Sequence, residues 1–260
     1  MRRVATALLM AVIAAACAGM DERELQMSLK MNPGGSQFAD AFPIGDKRIP
    51  LPPGMWTVIG TEIKKDDDPV FHVAYMLAKI EDNAVKAATE IFTGLPLKKA
   101  GSGGLFSGSK SGGGWVTHRS CSRDDMHFVK VHSNIRLGDQ DCWWVNHWRM
   151  HRAGSGDSEH WAESRKYLEQ NLIRAPMDMI AVSFRLANET DYLTVNYFFD
   201  PATAGLTPVG DAHWSIRTWE TSEWHPDRVK NDEKKLAYMK RLIAWGETWH
   251  GKIKTSFAKD

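Results

Sequence analysis

Between residues 56 and 199, apolar and polar positions alternate over several short stretches, which polar or glycine-rich turns separate. A period of two is typical of β-strands, because successive side chains point to opposite faces of a sheet. Residues 70–80 carry apolar side chains on both faces, which indicates a central strand buried on two sides. The pattern predicts seven strands, at residues 56–63, 70–80, 85–92, 128–133, 143–151, 179–186 and 192–199.

Two further stretches are predicted to be helices. The first covers residues 161–172, with Ser158 as its N-cap. The second begins after Asn231 or Asp232, and its apolar positions recur at steps of three and four residues. These positions form one stripe that should pack on the sheet: Leu236, Met239, Ile243, Gly246, Trp249 or His250, Ile253 and Phe257.

The elements predict a single α+β domain. Most turns between the predicted strands are short, and short turns join antiparallel neighbours. We therefore expect a mainly antiparallel sheet of about seven or eight strands with helices against one face. The long C-terminal helix should be packed on that sheet.

The first twenty residues are typical of an export signal. Arg2 and Arg3 precede residues 4–16, an uncharged apolar run that is too short to cross a bilayer as a helix. Small residues then lead to Cys17. This segment resembles a bacterial lipoprotein signal, and the resemblance implies that Cys17 becomes the lipid-modified N-terminus. Cleavage after the small residues Ala16–Cys17–Ala18 is the alternative.

These features predict three parts: a signal peptide at residues 1–18, a flexible tether at residues 19–50 and a globular domain at residues 51–260. We expect the mature protein in the periplasm. Its N-terminal lipid should be its only contact with a membrane, because no other stretch approaches the ~18 apolar residues of a spanning helix.

The predicted export also bears on the three cysteines. Cys17 is either the lipid anchor or part of the discarded peptide, which leaves Cys121 and Cys142 as a pair. In an oxidising compartment we expect these two to form a disulfide. It would close a loop of about 20 residues and stabilise the domain by ~3 kcal/mol.

Charge and motif content exclude several functions. The 33 Lys and Arg against 32 Asp and Glu give 33 − 32 = +1, so no basic excess indicates a nucleic-acid partner. Residues 103–110 lack the Gly–Lys step of a P-loop, and Ser107-x-x-Lys110 lacks the partner motifs of penicillin-interacting enzymes. No G-x-S-x-G motif is present. We therefore expect no cofactor, and the pattern favours a protein that is not an enzyme.

The predicted hairpin after residue 127 carries candidate metal ligands. His147 and His151 are spaced as H-x-x-x-H, but the Glu of a zinc protease motif is missing. Two residues four apart on one strand lie ~13 Å from each other. One ion would therefore need donors from the neighbouring strand or from the nearby aspartates. The simpler explanation is that the histidines lie on the solvated face of a strand and that the aspartates form turns. The candidates are His132, His147, His151, Asp124 and Asp125, with His127, Asp139 and Asp141 beside them.

Eleven tryptophans are the main compositional outlier. Trp143 and Trp144 place one indole on each face of a strand. Trp144 with Trp148, Asn146 and Arg149 would form an aromatic stripe suited to a sugar, peptide or protein surface. Burial of these tryptophans beneath residues 214–224 is an equal alternative.

Three functions remain open. The favoured one is an exported cell-envelope lipoprotein that acts as a non-catalytic accessory or binding module for another envelope protein. The second is an exported hydrolase, metal-assisted or carboxylate-based, that uses the histidines and aspartates of the hairpin. The third is a periplasmic protein that binds a small ligand or a metal.

Overall fold

The computed structural model describes residues 30–65, 70–96, 119–135, 139–149, 158–176, 178–188, 191–206 and 222–257, together with Met27. Several predictions lie outside these residues: the signal peptide, Cys17, His151, and the proposed cover at residues 214–221. The strands are β1 Gln37–Phe38, β2 Ala41–Ile44, β3 Lys47–Pro50, β4 Trp56–Lys65, β5 Val70–Glu81, β6 Ala84–Pro96, β7 Phe128–Asn134, β8 Gln140–Arg149, β9 Asp178–Ala187 and β10 Tyr192–Phe199. The helices are α1 Glu159–Gln170, α2 Pro226–Val229 and α3 Glu233–Phe257.

Eight of the strands form one antiparallel sheet in the order β1-β4-β5-β6-β10-β9-β8-β7. β2 and β3 form a separate two-stranded sheet. Asp82 and Asn83 both have positive φ, 53° and 52°, as a tight hairpin turn between β5 and β6 requires. The predicted α+β fold with an antiparallel sheet and a C-terminal helix is confirmed.

Helices cover both faces of the sheet, whereas the sequence prediction placed them on one. Along β5, Tyr75 and Leu77 belong to the large core that α3 covers, and Met76 and Ala78 face α1. A strand that is apolar on both faces needs cover on both sides to remove its side chains from water. The two-sided apolar pattern of residues 70–80 already contained this requirement.

The folded chain also begins earlier than the predicted boundary at residue 51. β1, β2 and β3 lie within the segment predicted to be a flexible tether. Phe42 and Ile49 have no exposed surface, and the Phe42 ring lies 4.8 Å from that of Tyr75. The Tyr197 hydroxyl donates to the Pro50 carbonyl at 2.6 Å, which fastens this segment to the main sheet. Alternating apolar residues at 42, 44 and 49 are the sequence signal of this packing.

The predicted ends of two elements shift by two or three residues. β8 begins at Gln140 and ends at Arg149, compared with the predicted residues 143–151. α1 covers Glu159–Gln170, compared with the predicted 161–172, and Leu172 has a φ of 53° that ends the helical path. Within the described residues, no helix is both long enough and apolar enough to cross a membrane.

Candidate metal centre

Three metal-ligating side chains meet where the beginning of β8 lies against the last turns of α3. Asp141 comes from β8, His250 from α3 and His132 from the edge strand β7. His250 Nε2 lies 2.6 Å from Asp141 Oδ1, and the His132 and His250 rings stack with centroids 4.8 Å apart. One donor atom of each side chain lies within 4.8 Å of the other two. We call this group the triad.

A β-bulge in β7 sets the position of His132. Val131 pairs with Cys142 and Ser133 pairs with Asp141, so His132 is the extra residue between two consecutive pairs. A bulge redirects a side chain relative to the regular pleat. It places the His132 ring over the helix residue His250.

Asp141 is held as a carboxylate by two side chains of α3. Lys254 Nζ lies 2.8 Å from Asp141 Oδ2, and His250 contacts the other oxygen. Burial alone would raise the pKa of Asp141, but the hydrogen bonds from His250 and Lys254 outweigh it and lower the pKa to about 2. His250 and Lys254 lie one helical turn apart and therefore share one face of α3.

A groove of about 660 Å³ lies between β7 and α3, and its lining residue Glu247 is close to His132 and His250. An ion pair between Lys130 and Glu247 links its two walls. The hydrogen bond from Lys130 lowers the pKa of Glu247, and the nearby His132 and His250 contribute to the same shift. The groove is lined by Phe128, Val129, Lys130, Lys240, Ile243, Ala244 and Glu247.

Of the five main metal candidates from the sequence, only His132 belongs to the triad among those that the structure describes, and Asp141, named beside them, supplies the carboxylate. Asp125 forms an ion pair with Arg123 instead. His147 is half-buried near the far end of β8 and lies close enough to His127 to influence its charge. Burial lowers the pKa of His127 to about 3, and His147 and His225 add to that shift.

The sequence prediction missed His250 as a ligand. The helical spacing instead placed His250, or its neighbour Trp249, at one position of the apolar stripe by which the last helix packs on the sheet. Asp141 was placed beside the hairpin turn, 109 residues from His250. The one available signal was the spacing of His250 and Lys254, which lie one turn apart and therefore share a face of the helix.

The predicted tryptophan stripe is only partly at the surface. Trp144 is 5% exposed and packs with Met126 and the two cysteines. Trp148 is 38% exposed, and its ring lies 5.7 Å from that of Phe198. Asn146 is half-buried beside them. The structure describes the backbone of Arg149 but not its side chain.

Cys121 and Cys142 are paired as predicted, with Cα atoms 6.1 Å apart, a separation that a disulfide can span. Cys121 lies in a short 3₁₀ turn, Arg119–Ser122, before β7, and Cys142 lies in β8 directly after Asp141. The pair therefore fastens the strand that carries one ligand of the triad to the turn that precedes β7.

A second cluster of ionisable groups, which the sequence did not predict, lies under α1. His160 has no exposed surface, and its two ring nitrogens lie 2.7 Å from Glu62 Oε2 and 2.9 Å from Glu90 Oε1. Trp161 and Asn196 also donate hydrogen bonds to Glu90. This cluster joins α1 to β4, β6 and β10, and its complete burial indicates a role in packing.

Fold and site together define the protein only by class, as an antiparallel α+β domain with a cluster of two histidines and one carboxylate near its surface. No protein-family model, curated protein or solved structure matches the chain.

Proposed function

We propose that this chain is an exported cell-envelope protein whose folded domain binds a divalent transition-metal ion through His132, Asp141 and His250. The observation that supports this proposal is the convergence of three donor atoms from three separate elements within 4.8 Å of one another. Two imidazoles and one carboxylate are a common ligand set for zinc and related ions.

The geometry needs only a small adjustment to hold an ion. Zinc lies ~2.0–2.2 Å from each ligand atom, so two ligands of one tetrahedral ion lie ~3.4 Å apart. Asp141 and His250 are already closer than this, at 2.6 Å. The donor atom of His132 lies within 4.8 Å of the other two and is exposed on an edge strand, so rotation of its side chain can bring it up to ~1.4 Å closer. Asp141 and His250 must separate by ~0.8 Å to admit the ion. Three protein ligands leave at least one coordination position for another molecule.

Lys254 is a competitor that metal binding can displace. Its side chain is 61% exposed, although it contacts the mostly buried Asp141. An exposed lysine in an ion pair contributes little to stability, so its movement into solvent costs about 0–1 kcal/mol. A bound cation would then neutralise Asp141 in place of the lysine ammonium.

Export is supported by the N-terminal sequence and by the disulfide-compatible cysteine pair. We propose that Cys17 carries the lipid and that the protein resides in the periplasm. Fractionation of cells with thiol labelling tests this part. We expect to find the protein in the membrane fraction, with Cys121 and Cys142 unreactive because they are joined in a disulfide. A protein found in the soluble cytosolic fraction, with both thiols reactive, would contradict export.

A role as an accessory module for another envelope protein is the second candidate. It is supported by Trp148, a large aromatic side chain that stays 38% exposed in an ordered strand. Trp144 is buried, so Trp148 with its neighbours Asn146 and Arg149 would be the contact region. Co-purification of a partner with the unchanged protein, and its loss with Trp148→Ala, would support this role.

Zinc titration by calorimetry tests the proposed metal site. We expect the purified protein to bind one zinc ion, and His132→Ala and His250→Ala to weaken binding by at least ~10–100-fold each, since each removes a ligand. His147→Ala is the matched control, because it removes a half-buried histidine of β8 outside the triad. Absence of zinc binding, or loss of binding only in the His147 variant, would contradict the proposal.

A further inference from the structure

The groove and the triad form one continuous surface. On α3, the groove residues Lys240, Ala244 and Glu247 follow helical spacing that continues into His250 and Lys254. On β7, residues 128–130 line the groove and His132 lies two positions further on. A molecule that lies in the groove therefore has one end beside the three metal ligands.

The walls of the groove are mixed in character. Phe128, Val129, Ile243 and Ala244 supply apolar surface, and the Phe128 ring packs against the buried Trp143 with centroids 4.5 Å apart. This contact joins the apolar wall to the core. The groove is shallow and widely open to solvent, so a ligand that lies in it keeps part of its surface in water.

Charged side chains surround the groove and its metal end. With Lys254 displaced into solvent by the metal, Lys130 and Lys240 stand against the carboxylates of Asp141 and Glu247, which gives 2 − 2 = 0. A divalent ion bound to the triad raises this local charge to +2. The surroundings therefore favour a ligand whose head group is negative and oxygen-rich, because hard oxygen donors both coordinate such ions and pair with lysine.

From this arrangement we propose that the groove binds an amphiphilic carboxylate, with its carboxyl group on the metal of the triad and its hydrocarbon part along Phe128, Ile243 and Ala244. This inference rests on the proposed metal site. The open coordination position receives one carboxylate oxygen. The Lys130–Glu247 pair has both side chains partly exposed, at 38% and 54%, so it can open at little cost when the ligand enters.

Calorimetric titration of the zinc-loaded protein with decanoate tests the inference. Acetate carries the head group without the chain, and 1-decanol carries the chain without the charge. We expect decanoate to bind at least about tenfold more tightly than either, and the zinc-free protein to bind it at least about tenfold more weakly.

Ala244→Trp fills the groove from an exposed position of α3, so it should not disturb the core. It should weaken decanoate binding at least about tenfold and leave zinc binding unchanged. Ala237→Trp is the matched control, because Ala237 is exposed on the same helix but does not line the groove. That variant should bind decanoate as the unchanged protein does.

The outcomes separate the two proposals. If the protein binds zinc but does not prefer decanoate to acetate and 1-decanol, the groove is not the ligand site, and the metal site is unaffected. Unchanged decanoate binding in Ala244→Trp leads to the same conclusion. Decanoate binding that does not depend on zinc would overturn the placement of the carboxyl group on the metal. A protein that binds no zinc would overturn the metal site itself and the inference with it.

Discussion

At the scale of single residues, His160 is the most unusual group in the described chain. Both of its ring nitrogens face carboxylates, so the imidazolium form can donate to Glu62 and to Glu90 at once. Burial alone would lower the pKa of His160, but its hydrogen bonds to Glu90 and Glu62 and their negative charges outweigh burial and raise the pKa above 6.5. Lys64 contacts the other oxygen of Glu62, and Asn196 and Trp161 contact Glu90.

This arrangement predicts how stability depends on pH. A histidine with a raised pKa in the folded state stabilises the protein fully below its unfolded pKa of about 6.5, and the contribution is lost as pH rises through the folded pKa. We therefore expect the contribution of His160, measured in urea as the difference in free energy of unfolding between the unchanged protein and His160→Gln, to fall as pH rises above 6.5. His160→Gln should cost about 3–5 kcal/mol at pH 6, because two buried carboxylates lose their cation, and the cost should shrink at pH 9.

His132→Gln, measured without metal, is the control for the pH experiment, because His132 is exposed on an edge strand. It should keep the pH dependence of the unchanged protein. A cost of His160→Gln that stays the same or grows from pH 6 to pH 9 would show that His160 is not charged between the two carboxylates.

At the scale of elements, the contact of α3 with the sheet depends on a glycine. A Cβ added at Gly246 would lie 2.4 Å from Cζ3 of Trp143 and 3.0 Å from Cγ1 of Val182. Glycine in a helix interior costs about 1 kcal/mol relative to alanine. At this position it allows the helix to approach β8 and β9 closely, and the same approach brings His250 to Asp141.

A pair of glycine substitutions on α3 tests this contact. Gly246→Ala should destabilise the protein by about 1–3 kcal/mol, because crowding against Trp143 outweighs the gain in helix propensity. Gly251→Ala meets nothing within 4 Å and should be neutral or stabilising by up to about 1 kcal/mol. Urea unfolding measures both variants, and equal effects would show that α3 does not pack closely at residue 246.

Most of the secondary structure could be predicted from the sequence, because periodicity is a local property. The strand at Tyr192–Phe199 and the long helix with its stripe through Met239, Gly246 and Ile253 have nearly the predicted limits. The short strands β1 to β3 could not be predicted in the same way. Their burial depends on contacts with Tyr75 and Tyr197, which lie far along the chain.

At the scale of the whole molecule, the candidate site follows from topology that no local pattern contains. β10 pairs with β6, and β8 and β7 follow outside β9, so the edge strand β7 lies beside the C-terminal part of α3. This strand order brings Asp141 into contact with a helix residue 109 positions away. His132 was a sequence candidate because it lies on the strand predicted to pair with that of His147, but its partners in the structure are defined by the fold.

The most direct test of the proposed metal site is a crystal structure of the zinc-loaded protein with diffraction data collected at the zinc absorption edge. We predict an anomalous peak ~2.0–2.2 Å from the ring nitrogens of His132 and His250 and from a carboxylate oxygen of Asp141. The account would be contradicted by zinc located instead at His127 and His147 or at Asp124 and Asp125, with Asp141 still paired with Lys254.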